Sequence, residues 1–419
     1  MHRPGRLAPR TTFPGGASAP RRRTRRTPPA LAAASALPLL ALLAACVAGG
    51  PDATPTAAPT EPETSAPATT TPVTPSPAPV ALAPDGAVAE LAAGLDAPWS
   101  ILRLPDGGAL VSERDSARIL EVTGGTARAV LQVPGVAPGG EGGLLGLAFR
   151  PGDGSQEAAV YAYFTSEADN RIVRMPLSGG PGSYTLGSPE PVLTGIPKAG
   201  NHNGGRIAFG PDGFLYATTG DAGQREAAQD PASLAGKILR MTPDGAPAPG
   251  NPFGTHAYSI GHRNPQGLAW DADGRLWAAE FGQNTWDELN LVTRGGNYGW
   301  PIVEGQAGDA RFTDPVVQWP TSEASPSGLA IVGDTAVLAA LRGERLWTVA
   351  PLSGVAPAGG RAAVTPVATP WFAGEFGRIR DVVPGPEGEL WFLTNNTDGR
   401  GSPAAGDDRM LRVGLRPLP

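Results

Sequence analysis

The strongest constraint in the 419-residue sequence is a turn that recurs six times, each time ahead of a short apolar run. Pro105-Asp106-Gly107-Gly108 precedes Ala109-Leu110-Val111, and Pro211-Asp212-Gly213 precedes Phe214-Leu215-Tyr216-Ala217. Asp271-Ala272-Asp273-Gly274 precedes Leu276-Trp277-Ala278-Ala279. Pro151-Gly152-Asp153-Gly154, Gly333-Asp334 and Pro386-Glu387-Gly388 are the other three turns. From Asp106 through Asp153, Asp212, Asp273, Asp334 and Glu387 the spacings are 47, 59, 61, 61 and 53 residues. Asp-Gly turns between apolar runs are hairpin signals. A strand often precedes the turn, as in Leu147-Ala148-Phe149, and a partner often follows, as in Leu346-Trp347-Thr348-Val349. Six such units of about four strands each predict an all-β fold, a six-bladed β-propeller. One blade alone leaves a hydrophobic face bare, and a ring of blades covers it. A two-sheet sandwich is usually shorter and lacks this period.

Composition supports the same reading. Gly and Pro number 58 and 47, which fits either low complexity or many turns. A hydrophobic fraction of 41% with nine Trp rules out full disorder. Only 17% of residues are charged, which disfavours coiled coils and long amphipathic helices. Thirty-one Arg against two Lys reads as coding bias.

The repeat does not reach the N-terminus. Residues 1–45 hold eight Arg and no acid, and Ala30 to Ala45 are apolar apart from Ser35 and Pro38. This reads as a signal peptide. It ends Leu43-Ala44-Ala45-Cys46, similar to a lipobox, and Cys46 is the single cysteine. The expectation is lipidation of Cys46, placing the protein on the extracytoplasmic face of the cell membrane by a lipid anchor only. No internal disulfide is possible. Residues 46–84 are rich in Pro, Thr, Ala and Ser and predict an unfolded tether. The propeller is expected over 85–419. Beyond residue 45 the chain carries 25 basic and 39 acidic side chains, a balance of −14. That excludes a nucleic-acid partner, which needs a basic face.

Four polar clusters interrupt the apolar repeat. Gly200-Asn201-His202-Asn203-Gly204-Gly205-Arg206 presents an imidazole on a small-residue loop. His202 is suited to general-base work at neutral pH, and a structural loop histidine is the alternative. Gly261-His262-Arg263-Asn264-Pro265-Gln266-Gly267 offers a cation and an amide, for anion or quinone-oxygen recognition or for turn capping. Glu280 to Asn290, with Gly282, Gln283, Asp287 and Glu288, is a carboxylate-, amide- and carbonyl-rich loop suited to calcium or simply solvated. Arg378 and Arg380 alternate on one strand, so both project to the same side and could clamp an anion, with Arg342 joining them.

Asn-His-Asn-Gly-Gly-Arg (201–206), Phe-Gly-Pro-Asp-Gly-Phe-Leu-Tyr-Ala-Thr-Thr-Gly-Asp (209–221), Gly-His-Arg-Asn-Pro-Gln-Gly (261–267), Gly-Gly-Asn-Tyr-Gly-Trp-Pro (295–301) and Arg-Ile-Arg-Asp-Val (378–382) occur in this order. Together they resemble the soluble quinoprotein glucose/sorbosone dehydrogenase family over about 90–415. That resemblance implies a six-bladed propeller that uses pyrroloquinoline quinone (PQQ) and Ca²⁺ to oxidise an aldose sugar at C1 to a lactone, the electron acceptor being left open. It implies His202 as the general base, with Arg263 and Asp221 in the catalytic set. Arg263, Asn264, Thr321, Arg342, Arg378 and Arg380 would contact the cofactor, and Glu141 and Trp319 the substrate. Gly282 and Gln283 would bind the cofactor's calcium through carbonyls, while Asp287, Glu288 and Tyr298 would serve the metal loop and a second calcium. Where the family commonly reads Glu-His-Gly-Pro, this chain has Glu280-Phe281-Gly282-Gln283. The alternatives are a propeller that binds carbohydrate without turnover, and a calcium-dependent lactonase-like hydrolase.

Overall fold

The computed structural model describes residues 80–356 and 364–418. The signal-peptide reading, Cys46 and the tether up to residue 79 lie outside these residues. The described strands form six antiparallel sheets, five of four strands and one of five. The first strands of the blades are Pro98–Arg103, Leu144–Arg150, Ile207–Phe209, Pro265–Trp270, Pro326–Val332 and Ile379–Pro384. They contact one another around the axis of a six-bladed β-propeller. Each of the six repeat turns joins the first strand of a blade to its second: Ala109–Glu113, Ala159–Thr165, Leu215–Thr219, Leu276–Glu280, Thr335–Ala340 and Glu389–Thr394.

Alternation explains the packing. In Thr335–Ala340, Ala336, Leu338 and Ala340 face blade four with Trp277 and Leu289, whereas Val337 and Ala339 face blade six with Ile379 and Phe392. Successive side chains of a strand point to opposite faces, so a strand between two blades is apolar throughout. Six buried clusters result, one at each blade-to-blade interface. Near the axis the first strands approach closely. The Gly146 amide donates to the Gly205 carbonyl at 3.0 Å. A Cβ on Gly146 would lie 2.3 Å from that oxygen.

The ring closes with chain from both ends. Strand Leu82–Ala92 is the outer strand of blade six and pairs antiparallel with Met410–Pro417, from Leu82 opposite Pro417 to Ala92 opposite Met410, with two shifts of register between. The outer strand of blade six therefore takes in residues 82–84, which composition placed in the tether. Pro84 fits because this strand is at a sheet edge, where a missing N–H costs little.

Candidate active site

The central polar loops meet in one cavity of about 250 Å³. His202, Glu141, Arg263, Gly282, Arg342, Arg378 and Arg380, drawn from loops 80 or more residues apart in several cases, all line it. Blade closure brings them together, because the loops ahead of the first strands and those after the second strands open at the same end of the axis.

His202 sits in the left-handed region, with φ at +56°. A non-glycine residue there is unusual and is held by its surroundings. Its amide donates to a Glu141 carboxylate oxygen at 2.9 Å. Its backbone passes so close to Gly220 that a Cβ there would lie 1.9 Å from the His202 carbonyl oxygen. The ring Nδ1 lies 2.7 Å from Asp221 Oδ1. Asp221 is fully buried. It also accepts from the Gly223 amide and, on Oδ2, from Trp300 Nε1 at 2.8 Å. Burial pushes its carboxyl up, but the bonds from His202, Gly223 and Trp300 outweigh burial and hold it below its ordinary value. An ionised Asp221 fixes Nδ1 as the protonated nitrogen, leaving Nε2 available to take a proton.

Five arginines and one carboxylate line the cavity. Arg380 is buried, and burial pulls its guanidinium down to about 9. Arg378 donates to Asp398 at 2.9 Å. Arg263 donates through Nη1 to the carbonyls of Phe281 and Gly282, and burial lowers its guanidinium against the opposing pull of Asp221 and Glu141. Arg263 Nε, Arg378 Nε and Asn264 Nδ2 are buried with no partner among the described residues. Buried N–H groups left unpaired are costly, and the two that belong to arginines of the cavity wall point to an absent acceptor-rich group.

A profile of the family described as Glucose / Sorbosone dehydrogenase matches residues 95–404. The chain belongs to this family. It is 34% identical over 253 residues to quinoprotein glucose dehydrogenase B of Acinetobacter calcoaceticus, covering 52% of this chain and 53% of that protein. It thus spans about half that relative's length. It is 30% identical over 340 residues to an aldose sugar dehydrogenase of Escherichia coli (strain K12), covering 73% of this chain and 89% of that one. The structure of the PQQ-bound aldose sugar dehydrogenase from Streptomyces coelicolor superposes with a TM-score of 0.72 at 52% identity, over 80% of this chain and 100% of that one.

Within the glucose/sorbosone dehydrogenase frame, some expected residues do not reach the cavity. Trp319 is buried between blades four and five, its ring 5.7 Å from that of Trp347, and lies outside the cavity lining. Thr321 lies outside the cavity lining, its hydroxyl 3.5 Å from the Asn284 carbonyl. Asp287 spends both oxygens on backbone amides, those of Gly282 and Ser325, and burial pushes it up to about 6. Glu288 accepts from the Gly305 amide and Asn290, with burial raising its carboxyl. Tyr298 is buried, stacks on His262 at 4.7 Å and donates to the Leu291 carbonyl. Among the described residues no three His, Cys, Asp or Glu side chains group as a metal site.

Three residues were missed. Arg400 lines the cavity and pairs with Glu141 at 3.2 Å. Trp300 holds Asp221 from a motif in which Tyr298 alone drew a role. Glu304 Oε1 accepts the amides of Gln283, Asn284, Thr285 and Trp286 at 2.7 to 3.2 Å. Glu304 holds the loop in place although this chain lacks the family's proline.

Proposed function

We propose that this protein oxidises the C1 hydroxyl of an aldose sugar to the lactone, with PQQ and calcium as cofactors. The observation that carries this reading is the pairing of His202 with buried Asp221 on a cavity walled by five arginines. The kinship to the PQQ-bound Streptomyces coelicolor enzyme supports it.

The cavity fits PQQ, whose three carboxylates match an excess of guanidinium groups and unpartnered N–H donors. Arg263, Arg378 and Arg380 would hold them, with Arg342 on the same wall and Asn264 offering its unpartnered Nδ2. Calcium fits through oxygen chemistry: the Phe281 and Gly282 carbonyls, now capped by Arg263, are hard donors of the kind calcium takes. When bound, PQQ supplies the hydride acceptor and calcium the Lewis acid beside it.

The chain's own residues do the rest. His202 Nε2 takes the proton of the C1 hydroxyl as the hydride leaves C1, and Asp221 stabilises the imidazolium that forms. Glu141 fixes the His202 backbone and is placed to accept from a sugar hydroxyl. A lactonase would want carboxylates around a central ion, whereas arginines stand here.

Outside the described residues, we propose that Cys46 carries a lipid anchor on the extracytoplasmic face. Mass spectrometry of the mature N-terminus tests that.

Calorimetry on apo protein with calcium should show PQQ binding, and the loaded enzyme should reduce a dye with some member of an aldose panel. His202→Asn should keep PQQ binding and lose roughly 10²–10⁴ in kcat. Failure to bind PQQ in the presence of calcium would overturn the reading.

A further inference from the structure

Asp221 has two oxygens and two duties. Oδ1 faces the His202 ring, and Oδ2 has Trp300 Nε1 as its side-chain donor at 2.8 Å. A cation stands nearby. The Asp221 amide donates to the Arg263 carbonyl at 2.8 Å, so the two residues are backbone neighbours. Asp221 is the leading anionic influence on the Arg263 guanidinium, yet no ion pair joins them. Arg263 Nε is buried and unpartnered. Trp300 touches both: its indole N–H is on Asp221, and its ring centroid is 5.5 Å from the Arg263 guanidinium carbon. Arg225 lies over the same ring at 4.5 Å. Main-chain bonds anchor Trp300 itself, its amide donating to the Gly261 carbonyl at 2.9 Å and its carbonyl accepting from Gln229 at 2.6 Å.

We propose that Trp300 is a positioning residue that keeps Asp221 serving His202 and keeps Arg263 from capturing it. A buried carboxylate beside a half-buried guanidinium whose Nε has no partner would ordinarily pair with it. The indole supplies a neutral donor instead and presents its π face to the arginine, so the cation is accommodated without consuming the anion. Asp221 stays ionised and aimed at Nδ1, and Arg263 keeps its Nε for a cofactor. The inference rests on His202 being the base of the proposed oxidation.

The groups facing the dyad are Glu141 on the His202 amide, Arg400 paired to Glu141, Arg263 beside Asp221, Arg225 over Trp300, and Glu280 on the Arg263 amide. Of these, Arg263 is the one that gains when Trp300 loses its N–H. Once Arg263 draws Asp221 away, the imidazolium loses its counter-charge and protonation of His202 becomes harder.

Trp300→Phe tests this, since it keeps a ring and removes the donor. In calcium- and PQQ-loaded enzyme, kcat should fall about tenfold with little change in KM, the size of effect seen when a supporting hydrogen bond is lost. The acid limb of kcat/KM should move to lower pH by about half a unit to one unit, the equivalent of one hydrogen bond. In ¹⁵N spectra of apo protein, the His202 preference for Nδ1–H should weaken, and Trp300→Phe with Arg263→Met should restore it. Superimposable pH profiles and an unchanged tautomer would overturn the proposal. If Trp300→Phe does not fold, Asp221→Asn decides: the Trp300 indole N–H resonance should shift, and a resonance that stays put overturns the proposal. The spectra need no cofactor, so they still decide on Trp300 if PQQ binding fails and the functional reading falls.

Discussion

Arg206 and Arg380 enter the centre of the propeller from blades three and six, and they differ in what meets them. Both are buried, both guanidinium carbons lie over Trp99, at 4.4 and 5.9 Å, and both bond to Gln266. Arg206 donates through Nε to Gln266 O and through Nη1 to Ser100 Oγ and Asp381 Oδ2, and its Nη2, without a hydrogen bond of its own, is ion-paired to Asp381 Oδ1 at 3.0 Å. Its charge is matched. Arg380 has Asn395, Gln266 and Ser327 at bonding distance, all neutral, and Asp398 no nearer than 3.8 Å. Its hydrogen bonds are made and its charge is not. A matched buried cation belongs to the fold, while an unmatched one facing a cavity waits for an anion.

Removing the anion from the matched site should have the largest effect. Asp381 reaches Arg206 in blade three and the Ile101 amide in blade one, so it ties three blades together. Asp381→Asn leaves Arg206 charged and buried, at a cost of about 3–5 kcal/mol. Thermal melts should drop sharply, and adding PQQ and calcium should recover little of the loss. A melt within a degree or two of wild type would break the distinction.

The unmatched site should respond the other way. Arg380→Met removes a buried charge that no protein anion neutralises at close range, so apo stability should hold or rise. PQQ affinity should fall by about 10- to 100-fold, the value of a charged hydrogen bond of 1.5–3 kcal/mol. Calorimetry against apo protein reads both numbers. A destabilised variant with undiminished affinity would reverse the assignment.

What the sequence disclosed divides along the same line of local against distant interactions. The six hairpins were legible because each turn, Asp-Gly in four of them, lies within about a dozen residues of the strands it joins. Outer strands were not: Thr126–Gln132 is exposed over most of its length and carries no apolar alternation. Closure by Leu82–Ala92 depends on a partner more than 300 residues away, so a composition shift could not place it. At the site, contiguous motifs disclosed His202, Arg263, Arg378 and Arg380. Trp319 was named from its motif alone, and its packing against Trp347 between two blades is a distant contact that the motif does not carry. Glu304 and Arg400 sit in polar loops that read as ordinary surface, and their roles come from chain that folds back over them. Lys237, one of two lysines, is fully buried with Nζ on the carbonyls of Ala227, Ala228 and Ala235, a role that residue type alone argues against.

Arg400 sharpens the comparison from its weak end. It lines the cavity like Arg380, but its side chain is 49% exposed and its partner Glu141 is within reach of water. An exposed ion pair contributes about 0–1 kcal/mol, because solvent already stabilises both charges. Arg400→Ala should therefore leave the melting temperature unchanged and PQQ affinity within a few-fold of wild type. Glu141 would be freed, and it also holds the His202 amide, so KM for the sugar should shift by a few-fold while kcat changes less. Steady-state kinetics over a range of salt separates the two contributions. Screening weakens an exposed pair, so raising ionic strength should move wild-type KM toward the value of the variant. If Arg400→Ala instead lowers PQQ affinity as far as Arg380→Met does, exposure is the wrong criterion, and membership of the cavity wall alone decides which arginines hold the cofactor.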